Sequence, residues 1–113
     1  MDSELIKIVE KHLLEKVGLP SEKLVDFLKE TSIHLKVLMD ALDEGIDEGQ
    51  FEVVVSSAHT LKGSLVNLGL DELSKIAGNI ETAAYSTSPL YLSCYFMRLR
   101  KMLIPLLDYA NKK

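Results

Sequence analysis

Phe51-Glu52-Val53-Val54-Val55-Ser56-Ser57-Ala58-His59-Thr60-Leu61-Lys62-Gly63-Ser64-Leu65-Val66-Asn67-Leu68-Gly69 carries an apolar side chain at Phe51, Val54, Ala58, Leu61, Leu65 and Leu68. The spacing alternates three and four, so on a helix these residues form one seam facing a bundle core. A half-buried strand would show apolar residues at every second position, and this stretch does not. Gly69 fits the position just after the last turn, where a left-handed residue ends a helix. His59 lies one residue past the seam position Ala58, which points its ring from the flank of the helix toward water. Lys62 and Gly63 follow at i+3 and i+4, the positions whose side chains lie beside it.

Working outward, the same spacing recurs. Before the stretch, Leu24, Leu28, Thr31, Leu35, Leu38 and Leu42 form a four-three seam over residues 21–44, with Ser21 as N-cap and Glu22 in the first turn. Gly45 and Gly49, in two acidic runs, each suit the end of that helix. A shorter helix over 3–17 precedes it, with Leu5, Ile8, Val9, Leu13 and Val17 as its apolar face and Gly18 and Pro20 as its stop. After the stretch, a helix over 71–86 begins at Asp71 as N-cap and turns Leu73, Ile76, Ala77, Ile80 and Ala84 inward. Ser88 caps and Pro89 opens the last helix, 89–110, with the seam Leu92, Phe96, Leu99, Leu103, Leu106 and Ala110. Pro105 either ends that helix near Ile104 or kinks it, and the seam's continuation in register favours the kink. The helix carrying the opening stretch spans 50–68. Long amphipathic helices joined by short turns predict an all-α fold, an antiparallel up-down-up-down four-helix bundle with a short extra N-terminal helix. The chain, 1–113, reads as one domain.

Composition narrows the function. At 113 residues, 47% apolar and 6% aromatic, without Trp, the chain can build one aliphatic core. A net charge of -4 argues against nucleic acid or an anionic membrane as partner. Cys94 is the only cysteine and makes no internal disulfide, as expected in a reducing compartment. Met1 to Ile6 has acids where a signal peptide has a basic start, and no apolar run is long enough to span a membrane. A cytoplasmic protein is expected. His12, beside Lys11 and Glu15, and His34, among Lys29, Ile33 and Lys36, have no neighbours at metal-ligand spacing and read as surface residues.

On periodicity alone His59 would be read the same way; its company sets it apart. An exposed imidazole is in large part neutral and nucleophilic at pH 7. A cation one turn away is placed to bond phosphoryl oxygens. Gly63 costs about 1 kcal/mol against alanine in a helix interior. Its position off the seam favours clearance around the imidazole over close packing against another helix. Val55, Ser56, Val66 and Asn67 share the side of the helix that carries His59, and Val66 is apolar where the seam does not need it, which marks a docking surface. The run Leu90 to Met97 is apolar nearly all round, and deep burial and a second contact surface both stay open for it.

Ala58-His59-Thr60-Leu61-Lys62-Gly63-Ser64 followed by Asn67-Leu68-Gly69 resembles the signature of histidine-containing phosphotransfer (HPt) domains of phosphorelays. The likeness extends more weakly over about residues 21–86, and the first and last helices resemble the family only in being helical. It implies that His59 is phosphorylated, that Lys62 and Gly63 serve it, and that the partners are response-regulator receiver domains and an upstream sensor or hybrid kinase. It further implies a phosphocarrier without kinase activity and without a cofactor of its own, the Mg2+ being the receiver's. In the family a glutamate in this part of the fourth helix can bond the other ring nitrogen. Glu81 is the matching residue, and the alternative for it is a surface carboxylate paired with Lys62 or Lys75. A chemotaxis-type kinase domain is disfavoured because Gly78 stands where such domains often carry a second histidine. Only Asn111-Lys112-Lys113 follows the last helix, so a free-standing monomer is expected. A helical adaptor that is never phosphorylated is the competing class. A metal enzyme is a distant third, with no metal ligands to support it.

Overall fold

The computed structural model describes residues 4–86 and 89–111, and among them every regular element is helical. α1 spans Glu4–His12 and runs on as a π-helical turn, Leu13–Val17. A 3-10 turn at Ser21–Lys23 leads into α2, Leu24–Glu48; α3 is Phe51–Asn67, α4 Asp71–Tyr85 and α5 Pro89–Leu107. A last 3-10 turn covers Tyr109–Asn111. α3 packs on α2 and α4, and α5 closes the ring against α4 and α2. The four long helices thus form the expected bundle, with α1 laid against α5.

The core seams follow the period of the helix. Val54, Ala58, Leu61 and Leu65 of α3 are buried, as are Leu73, Ile76, Ala77, Ile80 and Ala84 of α4 and Leu92, Phe96, Leu99, Leu103 and Leu106 of α5. Phe51 is only half-buried, at the first turn of α3, and Leu68 is buried just past its last. On α2 the buried line is Leu28, Ser32, Leu35, Met39, Leu42 and Gly45. Thr31 and Leu38 lie at its edge, because a 25-residue straight helix drifts away from a strict 3.5-residue repeat. Ser32 is fully enclosed yet satisfied: its hydroxyl donates to the Leu107 carbonyl at 2.8 Å and accepts from the Ala110 amide at 3.2 Å. That bridge holds the end of α5, which passes through Pro105 and stops three residues beyond Ile104.

Several expectations are corrected. α2 does not end at residue 44. Gly45 lies inside it, buried against α3, where a Cβ would sit 3.0 Å from Val54 Cγ2. Its missing side chain serves close helix approach, and Gly49, at φ 70°, is the stop. Ser21 is not a cap, since Pro20 precedes the 3-10 turn and no side chain caps it. Asp71 is the first residue of α4 rather than its cap, a place where a carboxylate still favours the helix dipole. On α1 the buried face is Ile6, Val9 and Leu13, while Ile8 and Val17 are exposed. The wider π turn carries Val17 off the face that a regular helix would give it. His12 is not a plain surface residue: its half-buried ring lies against Gly69. Ala110 is half-buried in the final turn instead of closing the α5 seam. The expected cap Ser88 and the first residue of the 3–17 range lie outside the described residues.

Gly69 does two jobs. At φ 79° it ends α3, with the Leu70 amide donating to Leu65 O at 2.9 Å and its own amide to Val66 O at 3.0 Å. A Cβ there would come within 2.6 Å of the His12 ring, so a side chain is excluded on space as well as on φ. Burial, then the Glu10 carboxylate of α1, push the Tyr109 phenol above its ordinary value.

Candidate functional site

α3 and α4 run antiparallel, and their register assembles the site. Near one end the buried Ser74 hydroxyl donates to the Lys62 carbonyl at 3.2 Å. One turn along α4, Gly78 leaves a track for the Lys62 stem, whose Cδ lies 3.4 Å from where a Cβ would be. One turn further, the Glu81 carboxylate reaches both partners on α3. Its Oε2 is 3.2 Å from His59 Nδ1, and its Oε1 is 3.4 Å from Lys62 Nζ.

Exposure divides the labour. The His59 side chain is 69% exposed, Lys62 41% and Glu81 18%. The carboxylate sits at the base and the imidazole stands over it. With a carboxylate at Nδ1, the favoured neutral tautomer keeps the proton there, where it donates to Glu81. Nε2 is then left with its lone pair. The Glu81–Lys62 pair is exposed enough at its lysine end to contribute only about 0–1 kcal/mol, so its value is placement rather than stability. Lys75 pairs instead with Glu72, at 3.9 Å.

Gly63 faces open space: a Cβ there would meet nothing within 4 Å. Packing against another helix therefore does not account for it. Ser56, Val66 and Asn67 are exposed and Val55 is half-buried, along the line of α3 that carries His59. The structure adds what periodicity missed. Phe51, Glu52, Val55 and Ser56 of α3 and Ala84 and Tyr85 of α4 line an open, largely apolar groove of ≈ 390 Å³, one turn from His59. Tyr85 and Ala84 join it only through the α3–α4 register, which no single-helix pattern reveals. The run Leu90 to Met97 is not buried throughout. Leu92 and Phe96 are core, whereas Leu90, Tyr91 and Met97 are exposed. His34 is exposed on α2 and, among the described residues, makes no ion pair with a carboxylate. Among the described residues no group of three His, Cys, Asp or Glu side chains is placed to hold a metal ion, and no helix is long and apolar enough to cross a membrane.

Fold and site together define a helical bundle that presents an exposed imidazole, bonded to a half-buried carboxylate, on its α3–α4 face. The chain belongs to the Hpt domain family, whose model, Hpt domain, matches residues 22–107. Hpt domains are phosphocarriers of phosphorelays rather than enzymes, and they work with the receiver and kinase domains of two-component systems. The match takes in α2 to α5, farther than the signature-level likeness over 21–86, and it leaves α1 outside. Comparison with curated proteins and with solved structures gives no match.

Proposed function

We propose that His59 is the phosphoryl-accepting residue of this carrier, exchanging the group with a receiver-domain aspartate in the cytoplasm, with a sensor or hybrid kinase upstream. The observation that carries the reading is the 3.2 Å contact of Nδ1 with Glu81 beneath a ring that is otherwise open. The Nε2 lone pair attacks phosphorus in line, the P–O bond of the aspartyl phosphate breaks, and the aspartate leaves as a carboxylate. The product ring keeps its Nδ1 proton and carries a positive charge, which faces the Glu81 carboxylate. Lys62 leaves Glu81 for the phosphoryl oxygens, and Mg2+ and the acid residues belong to the receiver. The chain needs no nucleotide or cofactor and phosphorylates nothing unaided. The test is transfer from a phosphorylated receiver domain to the purified chain, read as acid-labile, alkali-stable label.

Two variants probe the supporting residues. Glu81→Ala frees the tautomer, and the initial transfer rate is expected to fall about tenfold. In the same sample, ¹⁵N shifts of the imidazole should show a mixture of tautomers. An unchanged rate would leave Glu81 as a surface carboxylate. Gly63→Gln is expected to move stability and transfer in opposite directions. The new side chain meets open space in the free protein, so the helix gains up to about 1 kcal/mol from losing glycine. In the complex it displaces the receiver, and a misplacement of about 1 Å is enough to slow transfer roughly a hundredfold. Thermal melting and transfer kinetics on the same preparation check both signs.

A further inference from the structure

α5 carries two seams. The inner one fills the core. The outer one, Leu90, Cys94, Met97, Lys101 and Ile104, repeats the four-three spacing of a helix-pairing face and is exposed at every position. Leu90, in the first turn of α5, is 71% exposed and Met97, near its middle, 68%, large values for apolar side chains. Beside this seam lies a groove between α5 and α2, floored by Met39, Phe96 and Leu107 and edged by Asp40 and Asp43 on α2 and Arg100 on α5. Asp47 continues the acidic edge toward the start of α5. Because α3 pairs with α4 on the far side of the bundle, this face points away from His59.

The charges left over on it differ by helix. Lys36 and Asp40 of α2 pair with each other, which leaves Asp43 and Asp47 on the α2 edge, while α5 brings Arg100 and Lys101, with Asp108 just past its end. Asp40 is engaged by Lys36 at 3.2 Å, but within the described residues Asp43, Asp47, Arg100 and Lys101 make no ion pair. An acidic stripe beside a basic stripe is what a two-fold axis maps onto its opposite, since each copy then presents the sign its partner lacks. A polyanionic ligand would meet the α2 carboxylates, and a basic surface would meet the α5 cations. We infer that the α2/α5 face is a self-association surface, on which a second copy of this chain docks with its α5 antiparallel to the first. Met97 lies near the dyad, and Lys101 of each copy faces the Asp43 and Asp47 edge of the other.

The size of the face sets the strength. α5 has 19 residues. At 1.5 Å per residue and about 10 Å per helix width, two helices present roughly 570 Å². A stable interface covers about 800 Å² on each partner. The dimer is therefore weak and forms reversibly as concentration rises. It leaves both His59 faces free, so it operates alongside phosphotransfer.

Sedimentation equilibrium of the full chain from micromolar to millimolar, at low salt, tests this. The expected mass rises from 12.6 kDa toward twice that value. Met97→Glu should hold the mass at the monomer value throughout; Met97 is exposed, so circular dichroism should be unchanged. Lys101→Glu should raise the dissociation constant at least tenfold, and adding Asp47→Lys to the same chain should restore it. A mass fixed at the monomer value in the wild type overturns the inference, as does a dimer that Met97→Glu leaves intact. Transfer to His59, measured on the same variants, should be unaffected, which separates failure of this surface from failure of the carrier reading.

Discussion

Mixed with a phosphorylated receiver domain, the His59→Gln chain should take up no label above background, while the parent is labelled in proportion to the receiver supplied. The loss is expected to be complete because nothing else in the site is a nucleophile of the same kind. Lys62 is a cation and Glu81 already bonds to both neighbours on α3. The remaining histidines do not substitute. The His12 ring is packed against Gly69, and His34 stands on another helix, where among the described residues it makes no ion pair with a carboxylate. The substitution should leave the fold alone, since an exposed side chain away from caps and core changes stability by about 0.5 kcal/mol or less. Unchanged circular dichroism and melting therefore belong to the same experiment. Label retained by the variant would point to a helical adaptor or to another acceptor.

The second large effect is on stability. Leu61 is fully buried, half a turn from His59, on the helix that contacts both α2 and α4. Leu61→Ala removes its packing and leaves a cavity, which costs about 2–5 kcal/mol. Total stabilities of domains are about 5–15 kcal/mol, so the variant spends a large share of its margin. A fall in Tm of about 10 °C or more follows, and urea titration should show the midpoint move with the slope kept. Transfer measured in the cold and scaled to the folded fraction should stay close to the parent, because the residue supports the site without touching the ring. A loss of less than 1 kcal/mol would mean that the α3 seam is not the centre of the core.

Much of this was legible from spacing. The α3 seam, the inward face of α4 and the outward aim of His59 all follow from a 3.6-residue period, because the period assigns faces. It does not say which faces touch, and there the sequence reading strayed. Gly45 and Gly49 look alike in their acidic runs, yet one lies inside α2 under Val54 and the other ends the helix. Only the approach of α3 tells them apart. Gly69 could be read as a stop, but not as the surface on which His12 rests. Ser32 looks like a poor core residue until α5 brings the Leu107 carbonyl and the Ala110 amide to it. The site shows the same division. Lys62 and Gly63 are local to His59, whereas Glu81, 22 residues away, reaches it through the α3–α4 register, which also brings Tyr85 to the neighbouring groove.

Phosphorus-31 and nitrogen-15 NMR of the chain after transfer from a phosphorylated receiver tests the acceptor atom itself. The account predicts one phosphoramidate, on Nε2 of His59, with Nδ1 still protonated and bonded to Glu81. Phosphorus on Nδ1, on a different side chain, or absent from the protein would contradict it.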